Sequence, residues 1–288
     1  VVLEVVDAAG DMTKQTEQAQ TFIKKGVDAL IIAPVDSGGC GTIVDMAKAA
    51  NIPVIFFDKK PLVEDLERYE KAYYVGLETY TSGILQNDLI VKEWKTHPEW
   101  DRNGDGTMQY LMLMGSMGDE DAEMRTQANR EGFVKHGVKV EELDAQVADW
   151  DTTKAKDVMD TWVVKYGNTM EVIICNNDAM ALGVVESLKS AGYLNGEKDK
   201  YIPIFGVNAI PDILDMIVDG TVAGTVLSDP WSEARAIADI AINLANGKGP
   251  FEGNKWSIAQ DKSILIPNLP ISKAENLDLA KETYRNCL

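Results

Sequence analysis

Oxygen-bearing side chains recur at alternating positions in the stretch Asp101-Arg102-Asn103-Gly104-Asp105-Gly106-Thr107-Met108-Gln109. Counted from Asp101, side-chain oxygens fall at the first, third, fifth and ninth positions, and Thr107 at the seventh can add a backbone carbonyl. Gly106 takes the sixth position, where a loop wrapped round an ion must turn sharply. This is the ligand spacing of a calcium loop. Two features depart from the helix–loop–helix form. The twelfth position is Met112 rather than the usual bidentate glutamate, and the run Met108–Met114 reads as a buried strand instead of a helix. A cation that takes roughly six to eight oxygens still needs a bidentate carboxylate from elsewhere. Glu171, at the polar start of the apolar run Glu171-Val-Ile-Ile-Cys175, is the candidate. A solvated Asx-rich turn would explain any one of these residues, but not their common register with the glycine.

The elements that must position such residues alternate along the chain. The first apolar run, Val1–Val6, reads as a strand, followed by a helix from about Thr13 to Lys25 that Gly26 stops. Apolar strands are then expected at Val27–Ala33, Val54–Phe57 and Tyr73–Gly76, with a helix running to Ala50 between the first two. A long helix, Tyr80–Lys95, leads to the calcium loop. After the loop come strands at Met108–Met114, Leu143–Ala148, Val172–Cys175, Ile204–Val207 and Val222–Leu227. Between them the spacing predicts helices at Glu120–Lys135, Thr152–Tyr166, Asp178–Ala191 and Pro211–Asp219, with Asp151 and Asp178 as N-caps. A helix Ser232–Ala245, a strand Ser263–Ile266 and a closing helix in Ser272–Leu288 complete the chain. Strands apolar on both faces and alternating with helices make parallel sheets covered by helices. The fold class is therefore α/β, with two doubly wound, Rossmann-like lobes.

In such sheets ligands bind beyond the carboxyl ends of the strands. The residues there are Asp58; Asp119, Asp121 and Arg125; Asp149 and Trp150; Asn176, Asn177 and Asp178; Asn208; and Ser228 and Asp229. No glycine-rich phosphate loop follows any strand. Short planar polar groups with one arginine and one indole suit a sugar, whose hydroxyls both donate and accept. Taken singly, each has an ordinary explanation: a helix cap, a core tryptophan, or a solvated arginine paired with Asp121 one turn earlier. The set is what points to a polyol.

Composition narrows the class. At 288 residues the chain exceeds one core, and 45% hydrophobic with 26% charged residues is ordinary for a globular protein. A formal charge of −18 argues against a nucleic-acid surface. The three cysteines, Cys40, Cys175 and Cys287, are too few for a disulfide framework. No run is long and apolar enough to span a bilayer, and an exported form is expected to have lost its targeting segment. Calcium favours the outside of the cell.

Several strings in the chain resemble the periplasmic galactose/glucose-binding proteins of bacterial ABC transport and chemotaxis. They are Lys71-Ala-Tyr-Tyr-Val-Gly76, Asp121-Ala-Glu-Met-Arg125-Thr, Trp150-Asp-Thr, Asn176-Asn-Asp-Ala-Met180 and Ala223-Gly-Thr-Val-Leu227. The resemblance runs along nearly the whole chain and includes the calcium loop, which in that family takes its bidentate glutamate from the position of Glu171. It implies two lobes joined by three crossings near Gly76–Thr79, Leu227–Trp231 and Leu265–Pro267, closing on the sugar as a hinge. One lobe is expected from 1–76 plus 230–265, the other from 77–229 plus 266–288. The family's first strand–helix unit, which supplies a central strand, an acid and a second aromatic platform, is missing ahead of Val1.

The resemblance also implies residue roles. Asp121 and Arg125 hold the anomeric end, Trp150 is an aromatic platform and Asn177 a hydroxyl ligand; these four match in identity. Asp58, Asp119, Asn208 and Ser228 match in position only, standing where the family has asparagine, histidine, aspartate and asparagine. Exchanging amide for carboxylate reverses which hydroxyl must donate, so an amino sugar or another polyol stands beside glucose and galactose. Calcium, bound by Asp101, Asn103, Asp105, Thr107, Gln109 and Glu171, would be structural. The implied partners are a monosaccharide, an ABC permease and a chemoreceptor, with no nucleic acid. The implied state is a monomer, periplasmic or lipid-anchored outside the cytoplasmic membrane. Two alternatives remain. A sugar-responsive regulator would need a DNA-binding helix-turn-helix, which is not present in the chain. A glycosidase built on Asp58, Asp119 and Asp121 would need a proton on an acid that Arg125 keeps ionised.

Overall fold

Side-chain caps set the helix starts, and residues in the left-handed region set several of the stops. The computed structural model describes residues 1–77 and 79–287; Glu78, inside the first expected crossing, and Leu288, at the end of the expected closing helix, lie outside the described residues. In chain order the elements are α1 (Met12–Lys25), β1 (Leu30–Ile32), α2 (Cys40–Ala49), β2 (Val54–Phe56), α3 (Val63–Glu67), β3 (Ala72–Leu77) and α4 (Thr79–Thr96). They continue with β4 (Met108–Met114), α5 (Glu120–His136), β5 (Val140–Val147), α6 (Thr152–Tyr166), β6 (Val172–Cys175), α7 (Asp178–Ser190), β7 (Ile204–Phe205), α8 (Pro211–Asp219) and β8 (Gly224–Leu227). The last are α9 (Pro230–Ala245), β9 (Ser263–Ile266), β10 (Leu269–Ser272) and α10 (Leu277–Cys287). Asp11, Asp119, Asp151 and Asn177 each accept a backbone N–H of the first turn of α1, α5, α6 and α7. Gly26, Gly137 and Gly220 close α1, α5 and α8 in the left-handed region that a Cβ disfavours.

The chain forms two compact units, Val1–Leu77 with Pro230–Ile266, and Glu78–Asp229 with Pro267–Leu288. The first holds a four-stranded parallel sheet in the order β1-β2-β3-β9. One core cluster runs through Ile43, Val44, Phe56 and Leu66, and the other through Ile55, Val75, Ile240 and Ile264. The alternate strand residues Ile55 and Phe56 fall in different clusters, as a sheet buried on both faces requires. The second unit holds a six-stranded sheet in the order β10-β8-β7-β6-β4-β5. Here too Ile173 and Ile174 belong to opposite clusters, one built on α6, α7 and α8 and the other on α4 and α5.

Three expectations need correction, and one short helix is added. Val1–Val6 forms no strand. Val1, Val2, Leu3 and Val5 are exposed, and the segment is tied down by an ion pair from Glu4 to Lys25. A strand exists only through a partner, and among the described residues none pairs with it. The sheet of the second unit is not wholly parallel, because Leu269–Ser272 adds an antiparallel edge to β8. Its single proline and its brevity hid it. The short helix Val63–Glu67 was also missed, having too few residues to show a period. Asp178 is not an N-cap: Asn177 caps α7, and Asp178 is a fully buried residue of its first turn.

Close approach of α6 and α7 requires a glycine. A Cβ on Gly183 would lie 2.1 Å from the Thr152 carbonyl oxygen, while the Thr152 hydroxyl donates to the Ala179 carbonyl at 2.8 Å. Backbone cannot yield cheaply here, so Gly183→Ala is expected to destabilise by about 1–3 kcal/mol. A lowered urea midpoint with an unchanged slope would show it.

Candidate functional site

The carboxyl ends of β4, β5, β6, β7 and β8 gather seven of the eight expected ligand residues on the second unit. Asp119 ends the loop after β4 and caps α5, its Oδ1 accepting from the N–H of Asp121 at 3.0 Å and of Ala122 at 3.3 Å. Glu120, Asp121 and Glu123 follow in the first turn, where the helix dipole favours negative charge. One turn on, Arg125 is buried at 6% exposure, and its Nη1 donates to the Asn176 carbonyl at 2.7 Å. The guanidinium carbon stands 5.6 Å from the centre of the Trp150 ring, a cation–π contact.

Trp150 is aimed by its backbone. Asp149 and Trp150 have φ of +51° and +63°, so the chain after β5 doubles back before Asp151 starts α6. The indole lies over Gly115, where a Cβ would come within 2.1 Å of the ring. Asn177 joins this group: its Oδ1 accepts from Met180 N–H at 2.9 Å, and its Nδ2 reaches the Trp150 carbonyl at 3.5 Å. Asn208 follows β7 with φ +118°, and its Nδ2 donates to Ser228 Oγ at 3.4 Å. Arg125, Trp150 and Asn177 thus form one contiguous group, with Asn208 and Ser228 a second pair on the neighbouring strand ends. Asp58 belongs to the other unit. It follows β2 with φ +62°, and its carbonyl accepts from the Tyr74 hydroxyl at 2.8 Å.

Beneath these residues lies a buried polar layer of which the sequence reading singles out only Asn176. Asn176 is wholly buried and accepts at Oδ1 from Gly115 N–H at 3.1 Å and from the Thr126 hydroxyl at 3.2 Å. Gln86 of α4 donates to the carbonyls of Cys175 at 2.9 Å and Gly206 at 3.0 Å, and its Oε1 accepts from Asn129 Nδ2 at 2.8 Å. The signal was present: Gln86-Asn87 interrupts the otherwise apolar face Ile84-Leu85 and Leu89-Ile90-Val91. A polar pair inside an apolar stripe has to find buried partners.

The loop 101–109 packs against Glu171. The Glu171 carboxylate accepts from Arg102 N–H at 2.7 Å and from Gln109 N–H at 3.1 Å, and the residue is only 2% exposed. Asp101 accepts from the backbone of Gly104 at 2.8 Å and Gly106 at 2.9 Å. Asp105 Oδ2 accepts from the amides of Asn103 and Gln109, each at 3.0 Å, and its Oδ1 from Thr107 N–H at 2.7 Å. Burial and the nearby Asp101 charge push the Glu171 carboxyl above its ordinary range, although its backbone donors pull the other way. No group of three or more His, Cys, Asp or Glu side chains close enough to hold a metal is found among the described residues. The oxygens gathered here are a mixed set of carboxylate, amide and backbone groups, the chemistry a hard cation takes.

Comparison with known proteins places the chain in a class. The profile described as periplasmic binding protein domain matches residues 1–249, and the chain belongs to that family. It is a periplasmic solute-binding protein, not an enzyme. The D-galactose/methyl-galactoside binding periplasmic protein MglB of Haemophilus influenzae is 41% identical over 96% of this chain and 81% of its own length. The ribose import binding protein RbsB of Bacillus subtilis is 28% identical over 85% of this chain and 72% of its own. Among solved structures, an ABC transporter solute binding protein from Bacillus halodurans with bound myo-inositol superposes with a TM-score of 0.76 at 26% identity, covering 96% of this chain and 85% of that one.

Because the indole occupies the space a side chain at 115 would take, Gly115→Ala is expected to move Trp150. The tryptophan emission should change in the otherwise native chain. Against a Trp150→Phe background the same substitution should leave the emission unaltered.

Proposed function

We propose that this protein captures a monosaccharide, D-galactose or D-glucose, and hands it to an ABC permease. The observation that carries this reading is the contiguous group of Arg125, Trp150 and Asn177 at the strand ends, in a chain 41% identical to a galactose-binding protein. Asp121, one turn before Arg125, would supply an acceptor for the anomeric hydroxyl, and the indole face would cover the C–H face of the ring. Asp119, Asn208 and Ser228 would add hydroxyl contacts on the same unit. Delivery, a role in chemotaxis and the monomeric state follow from the same reading.

Calorimetry against a panel of hexoses, with myo-inositol and galactosamine as further arms, tests the ligand. D-galactose or D-glucose should bind without turnover, and Arg125→Ala and Trp150→Ala should each weaken binding by about 10-fold to 100-fold, as loss of a desolvated charge or aromatic anchor does. Binding of myo-inositol alone would replace the hexose by a cyclitol. Hydrolysis of any glycoside would sink the reading.

We further infer that the loop 101–109 with Glu171 holds a structural calcium ion. Asp101, Asn103, Asp105, Thr107, Gln109 and Glu171 would be its ligands. The fit rests on Glu171: a buried carboxylate, raised by burial and by the charge of Asp101, is an electrostatic cost that a cation relieves. Calcium should raise the melting temperature of the wild-type chain, and Glu171→Gln should abolish the rise. The sign of the pH dependence follows from the same shift. A carboxyl raised in the folded state favours folding most at low pH, and that contribution is lost as pH rises through its folded value. Calcium competes with the proton, so its stabilising effect should be larger at about pH 7 than at about pH 5. An equal rise at both, or one that survives Glu171→Gln, would place the ion elsewhere.

A further inference from the structure

We propose that Asp178 is a positioning residue for ligand recognition, holding the turn that aims Asn208; the proposal rests on the sugar-binding reading above. Asn208 and Ala209 are consecutive non-glycine residues with φ of +118° and +57°, a conformation their Cβ atoms oppose. Such a pair persists only where its surroundings over-determine it. One side chain, wholly buried and distant in sequence, shares that task with β8, whose Val226 carbonyl accepts from Asn208 N–H at 2.8 Å. Asp178 Oδ2 accepts from Ile210 N–H at 3.0 Å, immediately after the pair. Its Oδ1 accepts from the Thr225 hydroxyl at 2.7 Å, and Thr225 Oγ1 in turn accepts from Ala209 N–H at 3.4 Å. The backbone N–H of Asp178 donates to the Val207 carbonyl at 2.8 Å, just before the pair. The turn is thus gripped on both sides by one residue.

Other features fit the same role. A Cβ on Gly206 would lie 2.0 Å from Asp178 Oδ1, so a glycine on β7's exit gives the carboxylate its space. Ile210, the N-cap residue of α8, makes no side-chain cap hydrogen bond, and its own N–H is taken by Asp178. Burial pushes the carboxyl up to about 6, while the Thr225 hydroxyl, two backbone N–H groups and the Arg125 charge pull it down. The groups facing its two oxygens are donors, so it acts here as an acceptor. No part of Asp178 reaches a ligand-facing surface, since its exposure is 0%.

The test uses the whole chain with Asp178→Asn, which keeps the volume and removes the charge. Backbone amide exchange followed by NMR should show Ala209 and Ile210 exchanging at least about tenfold faster than in the wild type, with Ile173 and Ile174 of β6 unchanged. No acceleration at Ile210, or equal acceleration in β6, would overturn the proposal. Calorimetry with D-galactose supplies the second readout. Asp178→Asn and Asn208→Ala should each weaken binding by about tenfold, and the double variant should bind no worse than Asn208→Ala alone, because residues acting as one unit are not additive. Multiplying losses would mean that Asp178 acts by some route other than Asn208, and would overturn it too. If the wild-type chain binds neither D-galactose nor D-glucose, the ligand reading fails, and the exchange rates alone decide on the turn; if it binds only D-glucose, the calorimetry is run with that sugar.

Discussion

Where parallel strands end, their last carbonyls and the first N–H groups of the turns that follow have no neighbouring strand to pair with. In the second unit these groups are buried, and each left unmade costs on the order of 1–3 kcal/mol. Side chains from other elements therefore reach in to meet them. Gln86 takes the carbonyls of Cys175 and Gly206, Arg125 takes that of Asn176, and Asp178 takes the N–H of Ile210. Satisfying the strand ends and building a ligand surface are consequently one problem. Arg125 shows it most plainly: the guanidinium that pairs a strand-end carbonyl also lies against Trp150.

The helix starts solve a second part of the same problem. Asp119 and Asn177 both cap helices and both stand among the proposed ligand residues. Capping takes one oxygen from each, which fixes what remains to be offered. The Asn177 oxygen is occupied by Met180 N–H, so its amide has only donors left to offer, one of which is directed at the Trp150 carbonyl. Asp119 spends one carboxylate oxygen on two backbone groups and keeps the chemistry of an acceptor. Selectivity among sugars, on the proposed reading, follows from which hydroxyl must donate and which must accept.

The loop 101–109 gathers negative charge while its carboxylates also accept from its own backbone N–H groups. Its attachment to Glu171 ties the connection between α4 and β4 to the start of β6. The glutamate's burial is what couples the two. An exposed carboxylate would be satisfied by water and would leave the loop unattached.

Much of this was legible in the sequence. Met108–Met114, Thr152–Tyr166, Val172–Cys175, Pro211–Asp219 and Ser263–Ile266 lie where the apolar pattern put them. The spacing in 101–109 points to a carboxylate from outside the run, and Glu171 does pack against that loop through the N–H groups of Arg102 and Gln109. What failed depended on partners. Val1–Val6 has every local mark of a strand and forms none, since pairing is a property of two segments. Leu269–Ser272 has few such marks and is a strand, since β8 offers it an edge. Asp178 looked like a cap from its place at a helix start, and only packing showed that its neighbour caps while it faces inward to Thr225 and Ile210. The sequence alone determined periodicity and the types of group available, because these depend on residues within a turn of one another. Tertiary structure decided which strand ends meet and which buried groups find partners, because those contacts join residues tens of positions apart that no local pattern relates.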